Sequence, residues 1–453
     1  MGKFSSSYST FDYGVLLVFL LLSHFSFQLG LCGSIGPLPF VLETGYVGVG
    51  ESEDVQAFYY SIESENNPKE DPLMLWLTVA LVAHGPLAFN HEEYNGSLPT
   101  LILRPQSWTK VSSIIFVGLP VSSGFTYARI EHAAQRSDWM LVHQVHQFLR
   151  KWLIDHQQIL SNEVYIGGDS YSGISIPVIV QEISQGNEKG VKPWINLQGY
   201  LLGNPSITRR EDNYKIPFAH EMTLISDELY ESLQKNCKGE YIYVDTRNVL
   251  CSRDMESFHE VCNLFYPIPS FLVKFSVTNP LIKAMKIIRE ATSGHDLAYI
   301  LDSSCEWDDS ETSSRRSLEE FPKYSSQIAT LKLSGKYRKM VSMYLPYIPN
   351  KEDIPISFEY HVNLSRKGYR SLIYSGDHDL NVPFLGTEAW IRSLNYSIVD
   401  DWRPWLTNGQ VAGYTRTYSN RMTFAAGGGH PAPEFKPEEC FAMYSRWISN
   451  KAL

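Results

Sequence analysis

The chain has 453 residues, 43% of them hydrophobic and 13% aromatic, which is enough apolar side chain for one large core or two ordinary ones and excludes a disordered chain. Its formal net charge of −10 comes without any cluster of Lys and Arg, and neutralising phosphates needs such clusters, so nucleic acid is excluded as a partner.

The first residues read as a secretory leader. Lys3 precedes the apolar run Val15 to Leu22, and after a second apolar stretch, Phe25 to Leu31, come the small residues Gly33, Ser34 and Gly36. Ser23, His24, Ser26 and Gln28 interrupt the run before it reaches the roughly 20 residues of a membrane span, which favours a cleavable signal over an anchor. The expected boundaries are therefore a signal peptide over 1–33 and a mature chain over 34–453, with no stable membrane span once the signal is cut. Three sequons, at Asn95, Asn363 and Asn395, fit a glycosylating route. Of the six cysteines, Cys32 leaves with the signal or sits at its edge, so the mature chain has an odd number. Cys237 and Cys251, close together in a polar segment, form the easiest pair; Cys262 with Cys305 is a second candidate, and Cys440 reads as a buried thiol on a helix.

After a Gly-rich turn, Gln56 to Ile62 alternates like a strand. Leu73 to Val82 and Ser113 to Leu119 are almost wholly apolar, as strands buried on both faces are. From Ala133 to His156 the period becomes helical, with Val142, Val145, Phe148, Leu149 and Trp152 toward one side. A strand at Glu163 to Ile166, a glycine-flanked serine and a helix at Ile174 to Ile183 follow, then a strand at Ile195 to Leu202. Strand and helix in alternation predict an α/β domain with a mostly parallel sheet. Between about 206 and 358 the regular alternation stops, and four of the six cysteines lie there, so this segment reads as a helical cap insertion. The sheet pattern resumes at Tyr369 to Tyr374, followed by a helix at Phe384 to Leu394, a hairpin turn at Asn408-Gly409 before a strand at Gly413 to Tyr418, a last strand at Met422 to Ala425, and a closing helix that Pro437 opens.

Gly168-Asp169-Ser170-Tyr171-Ser172-Gly173 places Ser170 at a strand-to-helix junction among small residues, as a sharp turn that lifts a hydroxyl above a sheet edge requires. Asp379, four residues before the helix-opening Pro383, and His430, in Gly427-Gly428-Gly429-His430-Pro431, follow at later strand ends. Serine, acid, histidine is the chain order of α/β-hydrolase triads. The histidines lack metal-ligand spacing and no phosphate-binding glycine loop occurs, so no metal or other cofactor is expected. His84 and His378 read as solvated loop histidines.

On "LETGYVGVGESEDVQAFYY", "ESENNPKEDPLMLWLT", "GDSYSG", "KPWINLQGYLLGNP", "SGDHDLNVP" and "GGGHPAPEFKPEECF" the chain resembles the plant serine carboxypeptidase-like proteins. The resemblance implies an α/β-hydrolase fold with a cap, Ser170 as nucleophile, His430 as general base and then acid, and Asp379 as the group that orients the imidazole. It also implies an acyl-serine route, serving either peptide C-terminal hydrolysis or acyl transfer from glucose esters, with a small-molecule ester or a peptide as substrate. Peptidases of this family hold the substrate's terminal carboxylate with Asn and Glu; Thr78 and Asp169 stand at those positions, similar to the acyltransferase branch. The family's glycine-rich oxyanion loop after the central strand is missing from Trp76-Leu77-Thr78-Val79-Ala80-Leu81-Val82-Ala83-His84-Gly85-Pro86, leaving the Tyr171 N–H as the oxyanion donor. Loss of one such donor costs roughly 10²–10³ in turnover, so impaired activity is expected. Gly118 also stands for a usual Asp, and Pro431 for a usual Thr. A non-catalytic secreted homologue that binds a ligand or partner is the alternative.

Overall fold

The computed structural model describes residues 38–77, 84–89, 101–262, 295–296, 299–303 and 350–453. The strands of its main sheet are Leu42–Val49 (β1), Val55–Ile62 (β2), Leu73–Leu77 (β3), Ser113–Val117 (β4), Val164–Asp169 (β5), Leu197–Gly203 (β6), Arg370–Ser375 (β7), Ile398–Thr407 (β8), Gln410–Tyr418 (β9) and Met422–Ala426 (β10). Their order is β1-β2-β4-β3-β5-β6-β7-β10-β9-β8, with the short strand Tyr127–Ala128 added against β2. From β4 to β10 every ladder is parallel, while β1, β2, β8 and β9 form antiparallel margins. Every residue of β3, β4, β5 and β7 is buried, which is why β3 and β4 read as almost wholly apolar runs.

Around the sheet lie Asp138–Asp155 (α1), Ser172–Glu188 (α2), Lys215–Glu221 (α3), Asp227–Cys237 (α4), Val249–Cys262 (α5), Phe358–Arg366 (α6), Phe384–Ser393 (α7) and Pro437–Ile448 (α8). The period-2 alternation of the central strands sends side chains to two separate cores. Leu73, Leu75, Ile115, Val117 and Ile166 meet the apolar sides of α1 and α2. Met74, Trp76, Ile114, Phe116 and Tyr165 meet Met443, Tyr444 and Trp447 of α8. The result is a three-layer α/β-hydrolase arrangement, helices on both faces of a mostly parallel sheet.

Three predicted features change. The Gly-rich stretch before β2 is a strand, β1, and not a turn; Gly45 is required there because a Cβ would come within 2.9 Å of the Tyr59 hydroxyl. The helix predicted from Ala133 starts at Asp138, where the Ser137 hydroxyl accepts the Met140 N–H at 3.2 Å; Glu131–Ala134 is a 3₁₀ turn and Arg136–Ser137 pairs with Asn350–Lys351. β8 was not signalled, since its exposed charges hide the alternation.

Within the segment predicted as a cap, α3, α4 and α5 share a small core of Ile216, Phe218, Leu233, Met255 and Phe258, with Leu380 of the main domain packed into it. Cys237 and Cys251 are joined by a disulfide across α4 and α5. Apart from the short antiparallel pair His295–Asp296 and Tyr299–Ser303, residues 263–349 lie outside the described part, and the candidate pair Cys262 with Cys305 falls there as far as side chains are concerned. Cys440 is a buried free thiol on α8.

Candidate active site

The site is built on the carboxyl ends of four adjacent parallel strands. β5 runs directly into the Ser170 turn and α2. Glycine is demanded on both sides: a Cβ on Gly168 would lie 2.7 Å from that of Ser172, and one on Gly173 would lie 2.5 Å from the Ser206 carbonyl oxygen. Ser170 itself has φ +60°, a left-handed conformation that costs a non-glycine residue about 1–2 kcal/mol. The turn is held in place by its neighbours. The Ser170 N–H donates to the Gly203 carbonyl at 2.8 Å, and its carbonyl accepts from Gly173 at 3.0 Å and Ser206 at 3.1 Å. Tyr171 occupies the position before the first residue of α2, where amide groups lack helical partners; among the described residues nothing accepts its N–H.

The acid and the histidine follow β7 and β10, which pair in parallel. Their loops are joined by three hydrogen bonds, each at 3.0 Å: the His378 N–H donates to Gly428 O and the Gly427 N–H to Ser375 O, backbone to backbone, and the Gly428 N–H donates to the Asp377 carboxylate. Gly376 permits this approach, because a Cβ there would meet the Gly429 oxygen at 2.3 Å. Asp379 is fully buried and accepts four hydrogen bonds: from Asn381 N–H (2.8 Å) and Val382 N–H (3.1 Å) at Oδ1, and from the Asn204 amide (2.8 Å) and His430 Nδ1 (2.7 Å) at Oδ2. With Asp379 accepting, the proton of the His430 ring lies on Nδ1 and Nε2 is left as a base. Among the described residues no hydrogen bond joins His430 to Ser170; such bonds commonly tighten only with substrate in place.

Asn204 was missed by the sequence reading, which took Gly203-Asn204-Pro205 only as the end of a strand. Its amide bonds both Asp379 and, at 3.1 Å, the carbonyl of Gly429, so one side chain holds the acid and the histidine loop together. Its neighbour Gly203 receives the Ser170 N–H, which ties the Ser170 turn to the same strand end. The available signal was an asparagine at a parallel strand's carboxyl end, where sites of α/β sheets assemble.

Comparison with known proteins decides the family. The serine carboxypeptidase family model matches residues 33–450. The chain is 49% identical to serine carboxypeptidase-like 2 of Arabidopsis thaliana, over 93% of this chain and 92% of that protein, and 48% identical to serine carboxypeptidase-like 12, over 97% and 98%. The chain belongs to the serine carboxypeptidase family. A solved structure, the prohormone-processing carboxypeptidase Kex1(Δ)p from Saccharomyces cerevisiae, superposes with a TM-score of 0.60 at 16% identity, over 90% of this chain and 91% of that one, and shares its fold.

In this serine carboxypeptidase-like chain the residue before the serine is not open to solvent. Asp169 is buried; its Oδ1 accepts the Tyr374 hydroxyl at 2.8 Å, and its Oδ2 lies 3.7 Å from His84 Nε2. His84 corrects a prediction: it is fully buried, packed between Trp76 (4.3 Å between ring centres) and Trp108 (4.4 Å), and not solvated. His378 is half-buried and bonds Asp377 at 2.7 Å. Thr78, the altered loop over 78–83 and the sequon at Asn95 lie outside the described residues. Tyr171 is fixed from its far end, where its hydroxyl donates to Asp138, a buried carboxylate that also accepts from the Asn350 side chain (2.9 Å) and the Ile354 N–H (3.1 Å). Of the two remaining sequons, Asn363 lies within α6 with its amide on Gln181, whereas Asn395 is exposed at the end of α7 with φ +54°. Among the described residues no helix is long and apolar enough to cross a membrane.

Proposed function

We propose that this chain is a secretory-route serine carboxypeptidase-like enzyme that forms an acyl ester on Ser170, with glucose-ester-dependent acyl transfer favoured over peptide hydrolysis. The observation that carries the reading is the 2.7 Å bond from His430 to the buried Asp379 at the same sheet edge as the strained Ser170 turn. In acylation His430 Nε2 takes the Ser170 proton as Oγ attacks the substrate carbonyl, and passes it to the leaving group as the old bond breaks. In the second half an acceptor hydroxyl or water loses its proton to His430 and releases the acyl group. The Tyr171 N–H serves the oxyanion. Thr78 and Asp169 take the sequence positions of the peptidase pair Asn and Glu, which in that family hold a peptide's terminal carboxylate, and this is the ground for preferring acyl transfer. The segment over about 206–358 acts as the cap and carries substrate selection.

Secretion is supported by the apolar leader and by a family match that starts at residue 33, and Asn395 is the sequon best placed for a glycan. The absent glycine loop lowers turnover by roughly 10²–10³ relative to relatives that keep it. That same absence favours the second reading, a homologue that binds a ligand through the retained cleft without turning it over. Fluorophosphonate labelling of the secreted protein separates the two. Labelling mapped to Ser170 and abolished in Ser170→Ala supports the enzyme; a folded protein that does not label at all leaves only the binding reading.

A further inference from the structure

Asp138 is a fully buried carboxylate outside the triad that meets both the Ser170 turn and the chain around the cap. It is the first residue of α1, so the amide end of that 18-residue helix favours its negative charge. Three donors share its oxygens. Oδ1 accepts the Tyr171 hydroxyl at 3.0 Å and the Asn350 side chain at 2.9 Å; Oδ2 lies 3.2 Å from the same hydroxyl and accepts the Ile354 N–H at 3.1 Å. Burial and the Asp138 charge push the Tyr171 hydroxyl well above its ordinary range, so it keeps the proton that it donates.

Asn350 and Ile354 lie on the chain that returns from the segment read as the cap. That stem is seated at further points: Asn350–Lys351 pairs with Arg136–Ser137, the Asp353 carboxylate accepts the Trp139 N–H at 3.2 Å, and the Ser357 hydroxyl donates to the Gly173 carbonyl at 2.7 Å. The outgoing stem is tied to it, since the Ser357 N–H donates to Ile207 O at 3.0 Å and Arg209 pairs with Glu352. Ser206, on the outgoing stem, gives its N–H to the Ser170 carbonyl. Both stems therefore reach the turn that carries Ser170, and Asp138 is where the returning one meets the Tyr171 side chain.

We propose that Asp138 is a positioning residue for the oxyanion donor: it ties the Tyr171 ring to the returning cap stem and so keeps the Tyr171 N–H aimed at the charge that develops on the substrate. The proposal rests on the acyl-serine reading above. The peptide unit that carries this N–H lies between the left-handed Ser170 and Tyr171, so a ring fixed at its far end resists rotation of that unit. The ring is 39% exposed, and packing alone does not hold it. Because the sequence lacks the family's glycine loop, the alignment of the donor that remains counts for more.

The test uses the full-length secreted protein, with p-nitrophenyl acetate as substrate and ¹⁵N spectra of tyrosine-labelled protein, in which Tyr171→Phe identifies the Tyr171 amide. Tyr171→Phe, which removes only the hydroxyl, and Asp138→Asn, which sets a donor against donors, each lower kcat about tenfold with KM changed less than about twofold, a smaller cost than losing the donor outright. The double variant is no worse than the poorer single one, since both break the same bond. Asn350→Ala, which removes only a donor to Asp138, lowers kcat in the same direction and, like Asp138→Asn, shifts the Tyr171 amide resonance. An unchanged kcat in Tyr171→Phe overturns the proposal, and so does a loss confined to KM, because the ring is then only a wall of the cleft. A Tyr171 resonance unmoved in both Asn350→Ala and a folded Asp138→Asn overturns it too, a readout that stands even where no ester is turned over. Where Asp138→Asn does not fold, Tyr171→Phe and Asn350→Ala decide. A protein that takes no fluorophosphonate label while that resonance moves sinks the acyl-serine reading and the oxyanion role with it, and the tie between the cap stem and Tyr171 stands.

Discussion

Single side chains at this site do work that their local sequence does not advertise. Ser170, Asp379 and His430 announce themselves by glycines and by chain order, but Asn204, which bonds the acid and the histidine loop, and His84, buried between two tryptophans, do not. The reason is that a side chain's partners across the sheet are absent from its own neighbourhood in the chain. Two buried titratable residues, His361 and Glu211, push the pH dependence of stability in opposite directions. His361 bonds the Tyr200 hydroxyl at 2.8 Å, and burial pushes it from 6.5 down to about 3. Its folded form stays neutral where the unfolded chain is protonated, so its contribution is present above pH 6.5 and is lost as pH falls toward 3. Glu211 is shifted the other way, burial raising it from 4.5 to about 8; its contribution is complete below pH 4.5 and is lost as pH rises through about 8. Urea midpoints measured against pH should therefore form a plateau between pH 4.5 and 6.5, where the two slopes oppose each other. His361→Gln should flatten the acid limb and Glu211→Gln the alkaline one; a pH profile unaltered by both changes would refute the assignment.

Among elements, those whose pattern is set by burial on both faces were legible and those at the margins were not. β3, β4, β5 and β7 and the helices α1 and α8 fall where periodicity puts them, to within a few residues. β1 contains glycines that mimic a turn, and β8 is an edge strand whose side chains alternate poorly because its ladder with β9 is irregular. The turn between β8 and β9 was legible for a local reason. Asn408 and Gly409 have φ +50° and +75°, the paired left-handed residues of the tight hairpin turn. Gly409→Ala should lower stability by about 1 kcal/mol, measured by denaturant midpoint, because a Cβ is disfavoured at that φ although the space around it is open. An unchanged midpoint would mean that the exposed hairpin frays independently of the rest.

At the scale of the molecule, one sheet separates two cores and presents its carboxyl edge as the site, while α3 to α5 form a small body of their own held partly by the disulfide. Cys237 and Cys251 are 14 residues apart, and closing a loop of that size is worth about 3 kcal/mol at most in the chain-entropy account. Replacing both by Ser should destabilise this body, seen as faster amide exchange across α4 and α5, with far less change in β3 to β7. Uniform acceleration over the whole chain would instead show that the body and the sheet unfold as one.

The sequence by itself determined the α/β class, the order of the central strands and helices, the three triad candidates and the Cys237–Cys251 pair, because each is encoded by periodicity, by turn glycines or by proximity along the chain. Only the tertiary structure decided that Asn204 clasps the acid and histidine loops, that His84 is buried against Asp169, and that Tyr171 is anchored on Asp138. These contacts join residues 33 to 225 positions apart, and no local pattern specifies which distant strand ends a parallel sheet will bring side by side.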